Sequence, residues 1–179
     1  MRVAIAIVVL GMIGCASAPA LACTAIVGTP VTWVGDAEVI LRVRAVEERG
    51  ARIRGSLQER RAWLDATGRQ FGTTVKFEVL EVLKGQKPEG AIEFEGELTE
   101  RDDFNDRPAP YDFIRPGGRS GNCFAFHYKK GADYLLLCRI RDGRLTPHWA
   151  ALGATNEQLN GPDDKWLGWV RQQLASARH

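Results

Sequence analysis

Histidine, cysteine and a serine flanked by glycines are the residues in this chain that could do chemistry, and their spacing limits what that chemistry can be. A zinc site or a general base needs imidazoles and carboxylates brought together at ligand or hydrogen-bond spacing. His127, His148 and His179 are scattered, and no His-Glu-x-x-His occurs. Gly118-Arg119-Ser120-Gly121 has the outline of a nucleophile elbow, but Asn122 takes the place of the closing glycine and the surroundings read as loop, so a turn is expected. His127 falls in a predicted strand, where a packed or hydrogen-bonded imidazole is commoner than a catalytic one. The chain therefore reads as a non-enzyme, with no catalytic residue, cofactor or metal ligand.

Targeting decides which cysteines remain. Arg2, the apolar run Val3 to Ile13 and Ala20-Leu21-Ala22 have the layout of a secretory signal peptide over residues 1–22. The run is shorter than the ~20 apolar residues of a membrane helix, so no integral span is expected. Cleavage predicts one mature domain over residues 23–179, periplasmic or secreted. In such a compartment disulfides persist. Met12-Ile13-Gly14-Cys15 and Ala20-Leu21-Ala22-Cys23 loosely match lipoprotein cleavage sites without their leucine, so a lipid-anchored envelope protein is a more distant alternative. Lys and Arg number 24 against 22 Asp and Glu, a net +2 that falls by one when Arg2 leaves. That balance gives no general attraction to nucleic acid. Cys15 departs with the leader, leaving Cys23, Cys123 and Cys138, so one thiol stays unpaired within the molecule.

The elements that would position these residues are mostly strands. Val39, Leu41 and Val43 alternate with Arg42 and Arg44, the period of a strand with one wet face. Thr73 to Leu83 alternates as Val75, Phe77 and Val79, then shifts phase at Leu80, which predicts a β-bulge and a curled sheet. Ile92 and Phe94 continue the pattern, weakened at Gly96. Thr99 to Gly121 carries Pro108, Pro110 and Pro116 with no period and reads as a long loop, in which Tyr111, Phe113 and Arg115 could line a groove for a glycan or a protein segment. CFAFHY (123–128) and YLLLCRI (134–140) flank Lys129-Lys130-Gly131 as a predicted hairpin, and Arg144 to Trp149 as a last edge strand. Ser56 and Glu59 stand in capping-box spacing and predict a short helix to Leu64. Trp166, Val170 and Leu174 recur at helical spacing, predicting a helix over about 162–176, begun by Pro162, Asp163 and Asp164 and packed on the sheet through its tryptophans.

The hairpin admits two registers. A four-residue loop sets Cys123 opposite Cys138, whereas a three-residue loop sets Phe126 and Tyr128 on the face of Leu136 and Cys138 and makes the better core. The second favours a Cys23–Cys123 bridge with Cys138 a buried free thiol; the connectivity among the three stays open. Closing about 100 residues, such a bridge stabilises by roughly 2–4 kcal/mol.

Cys23 after the cleavage site, VKFEVLEVLKG and NCFAFHYKKGADYLLL together resemble the netrin-like domain of tissue inhibitors of metalloproteinases, and more closely small bacterial secreted proteins similar to them. The resemblance covers most of residues 23–150 and implies a five-stranded OB-type barrel with a C-terminal α-helix packed on it. It also implies a disulfide-bonded Cys23 whose amine and carbonyl chelate a protease's zinc, with Thr24 entering the specificity pocket. The family's Cys-x-Cys start is here Cys23-Thr24-Ala25, which leaves the segment with one anchor fewer. The expectation is thus an exported binding module, with a zinc metalloprotease or an envelope protein as its partner, and inhibition of a metalloprotease as the alternative.

Overall fold

The structure, a computed structural model, describes residues 30–69, 71–86, 88–107, 115–119, 125–147, 149–150, 153–154 and 156–177. The expected signal peptide, Cys23, Thr24, Cys123, Tyr111 and Phe113 lie outside them. In chain order come α1 (Pro30–Asp36), β1 (Val39–Gly50), α2 (Leu57–Thr67), β2 (Thr73–Lys84), β3 (Ile92–Glu95), β4 (Glu97–Thr99) and α3 (Pro116–Arg119). Then follow β5 (His127–Lys129), β6 (Asp133–Arg141), β7 (Arg144–Pro147), β8 (Trp149–Ala150), β9 (Gly153–Ala154), β10 (Asn156–Leu159) and α4 (Lys165–Ser176). The protein is mainly β, with a C-terminal helix, as expected.

The main sheet runs β10-β6-β1-β2-β3, every pairing antiparallel, with β7 also on β6. Because β10 pairs with Asp133 to Leu136 and β7 with Cys138 to Arg141, the two lie end to end along one side of β6. The phase shift at Leu80 is a bulge: Arg42 faces Glu81 and Val43 faces Val79, so Leu80 has no partner on β1. Val46 is skipped in the same way on β1, adding curl.

That curl brings β3 near β7, yet no ladder joins them, and the sheet does not close into a barrel. Both strands are only four residues long, and Pro147 of β7 has no amide to give. Gly96, at φ 151, then turns the chain out of β3 and into β4, which pairs in parallel with β5. This also corrects the expected hairpin. β5 does not pair with β6; Lys129 and Ala132 merely turn the chain between them, and β6 takes β1 and β10 as its partners.

β6 reads as a continuous apolar run because both its faces are covered. Tyr134, Leu136 and Cys138 pack with Val39, Leu41, Val43, Phe77, Phe94 and Tyr128 on the inner face. Leu135 and Leu137 pack with Ile40 on the outer face, beneath Trp33 and Val34 of α1 and Trp166, Leu167 and Val170 of α4. Each such large side chain removed from water is worth about 1.5–3 kcal/mol. The expected tryptophan stripe therefore does pack on the sheet. The α4 start differs from expectation: Asp164 is the N-cap, its carboxylate accepting from Trp166 N at 2.8 Å, so Pro162 and Asp163 precede the helix. α2 forms with the expected box, Ser56 and Glu59 satisfying each other's amides.

Candidate functional site

The single sequence-nominated loop residue that the structure describes, Arg115, is an anchor of the core. It is fully buried, and its guanidinium lies 5.0 Å and 5.1 Å from the ring centroids of Tyr128 and Tyr134. Nε donates to Asn156 Oδ1 at 2.7 Å, Nη1 to Asp103 Oδ2 at 3.0 Å and to the His127 carbonyl at 2.9 Å, and Nη2 to the Ala125 carbonyl at 2.8 Å. A buried cation is tolerated only when paired and hydrogen-bonded in this way. The arrangement corrects the expectation that Arg115 lines a groove: its donors are committed to the protein.

Around it, β10 supplies polar side chains that sequence reasoning missed. Gln158 accepts from Asp103 N and donates to Asp102 Oδ1, both at 2.7 Å, and Asn105 Nδ2 donates to Glu157 at 2.9 Å. Lys129 Nζ donates to Asp102 at 2.7 Å, which holds that carboxyl below its usual range. Asn156, Glu157 and Gln158 are all buried. Their work is to tie residues 101–107 and Arg115 to the sheet. Three consecutive polar residues before a single leucine give no alternation and no strand signal, which is why β10 is not legible in the sequence.

His127 begins β5, but its ring is exposed and 3.9 Å from Glu97, not packed as expected. Cys138 is free and buried, as expected, and burial pushes its thiol well up. Gly118 and Arg119 of the expected turn end the one-turn α3, and Ser120 and Gly121 lie outside the described residues. Among the described residues no three His, Cys, Asp or Glu side chains are grouped to hold a metal ion.

The remaining opening of consequence lies where the sheet stays unclosed. A cleft of about 650 Å³ runs between β3 and the β6–β7 turn, floored by Val39, Ile92, Phe94 and Leu145. Glu89 and Glu93 stand on one wall, Arg144 and the half-exposed Ile140 on the other. Each wall carries a strand, β3 or β7, that is hydrogen-bonded on its far side only among the described residues. Such edges are ready to accept another strand. No helix of the described residues is long and apolar enough to cross a membrane. No protein family matches the chain, and neither does any curated protein.

Proposed function

We propose that the protein is an exported, non-catalytic binding module that takes an extended polypeptide segment into the cleft between β3 and β7. The observation that carries this reading is the pair of unpaired strand edges facing one another across an apolar floor. Main-chain hydrogen bonds to such edges give affinity, and pockets for alternate side chains give selectivity. The acidic and basic walls favour a segment of mixed charge. A netrin-like ancestry, with an OB-type cylinder left unsealed at this seam, is part of the proposal.

The test is selection of extended peptides from a displayed library, followed by hydrogen exchange. Selected peptides should slow exchange of the amides of Ile92–Glu95 and of residues 144–146. Ile140→Glu, at a half-exposed wall position, should weaken them by about tenfold or more, the scale of losing a central apolar contact. Peptides that bind without protecting either edge would refute the reading.

Chelation of a protease zinc by Cys23, with Thr24 beside it, remains a proposal supported by the sequence resemblance alone. Titration against a panel of zinc peptidases tests it. Inhibition should vanish when one residue is added before Cys23.

A further inference from the structure

Between the paired residues Gly50 and Thr73 the chain leaves the sheet for a long excursion that carries α2. α2 has no buried residue, and among the described residues no other helix or strand packs extensively on it. Its sequence is nevertheless not that of an inert polar helix. Leu57 is 84% exposed, Leu64 43% and Trp63 36%. Leu57 and Leu64, seven residues apart, share one stripe, with Arg61 on one flank and, on the other, Arg60 and beyond it Trp63.

Charge is concentrated here as well. Residues 51–72 hold the five arginines Arg52, Arg54, Arg60, Arg61 and Arg69 against only Glu59 and Asp65, more than the whole chain's net +2. Arg52 and Arg69 are engaged with glutamates of the sheet region. Arg54, Arg60 and Arg61 are exposed and form no ion pair among the described residues. Glu59 is turned back onto Ser56, where the amide and hydroxyl it accepts from hold its carboxyl low.

We propose that α2 is a docking helix for an anionic lipid surface. Leucines and a tryptophan interleaved with arginines, whose long stems can lie along the apolar surface while their heads reach the phosphates, suit a helix that lies in the membrane interface. Tryptophan sits at headgroup level and arginines meet the lipid phosphates. A nucleic acid would use the arginines but leave Leu57 and Leu64 in water. The capping box and the Gly68 C-cap, in left-handed geometry at φ 67, fix the helix ends without help from the body, so the helix is formed before it meets the surface. This inference is independent of the cleft.

The experiment is co-sedimentation of the protein with sucrose-loaded vesicles of phosphatidylglycerol and phosphatidylcholine, beside vesicles of phosphatidylcholine alone. Binding should favour the anionic vesicles and weaken as salt rises. Arg60→Glu with Arg61→Glu should lower the partition coefficient about tenfold or more, on the scale of ~1 kcal/mol per basic residue near such a surface. Leu57→Ser and Trp63→Ser should each lower it several-fold, and Trp63→Phe should remove a blue shift of emission seen on binding. Since α2 buries nothing, the melting temperature of every variant should match the parent, which separates lost docking from lost folding. Failure to sediment with anionic vesicles would overturn the proposal. So would serine variants that bind as the parent does, a result that would mark the contact as purely electrostatic and point to an acidic macromolecule.

Discussion

Arg115 shows how a single side chain can hold distant segments in register. Its donors reach β10, the 101–107 segment and the backbone entering β5, and its flat face covers two tyrosine rings at one end of the inner core. Arg115→Met would leave the Asp103 carboxylate, the Asn156 amide and two carbonyls short of a donor. The expected loss in urea unfolding is about 3–5 kcal/mol, the usual result of removing one partner of a buried pair. Arg115→Lys should recover only part, because an ammonium cannot reach four acceptors in a plane. A lysine variant as stable as the parent would show that charge alone suffices. Burial also raises the Cys138 thiol and the Tyr128 and Tyr134 phenols above their ordinary 9.0 and 10.0. An acid raised in the folded state keeps its stabilising contribution below its unfolded pKa and loses it as pH climbs from there toward the folded value. Stability should accordingly hold to about pH 8.5 and fall between about pH 9 and 11. Melting curves of Cys138→Val and Tyr128→Phe should show a shallower fall; an unchanged slope would assign it to other groups.

Among the elements, the strands with an apolar period were readable and those without one were not. β1, β2 with its bulge at Leu80, and β3 follow alternation that any half-buried strand must show, and α2 and α4 announce themselves by a capping box and a tryptophan stripe. The edge strand expected over Arg144 to Trp149 forms as β7 only to Pro147, with Trp149 paired to β9 instead. α1 is only seven residues long, with no acidic residue in its first turn and no basic one in its last. It is held by packing of Trp33 and Val34 on the sheet and α4 and by Lys84 Nζ, which donates to the Val34 and Gly35 carbonyls. The parallel pairing of β4 with β5 joins segments about thirty residues apart, and nothing local to either specifies the other. The apolar segments around Lys129-Lys130-Gly131 have a hairpin's pattern, but β1 and β10 compete for β6 and win both of its sides. Of the candidate site, the apolar floor was legible as strand positions; the opening itself was not, since it depends on a ladder failing to form. Gly96 ends β3 after four residues and turns the chain into β4. A β-carbon there would collide with the Phe126 carbonyl and the Tyr128 ring, in a backbone region L-residues avoid. Gly96→Ala should cost about 1–3 kcal/mol in thermal unfolding. A neutral substitution would mean that the β3–β4 corner can relax.

At the scale of the molecule, one sheet separates two apolar clusters, and only the outer one depends on helices. Deleting residues 165–177 would uncover Trp33, Val34, Leu135 and Leu137 together, since Trp166, Leu167 and Val170 are their cover. The truncated protein should lose cooperative unfolding and bind a hydrophobic dye, the signature of secondary structure without fixed packing. A sharp melt close to that of the parent would show that α4 is dispensable.

The buried polar face of β10 sets the order in which the molecule can be completed. Asn156, Glu157 and Gln158 can enter the interior only when Arg115 and the 101–107 segment arrive to meet their hydrogen-bonding groups. A chain emerging from the ribosome N-terminus first must therefore wait for β10, about forty residues after Arg115, before either the central loop or that strand finds a stable place. Until β10 has been made, Arg115 and the 101–107 segment lack the side chains that hold them to the sheet.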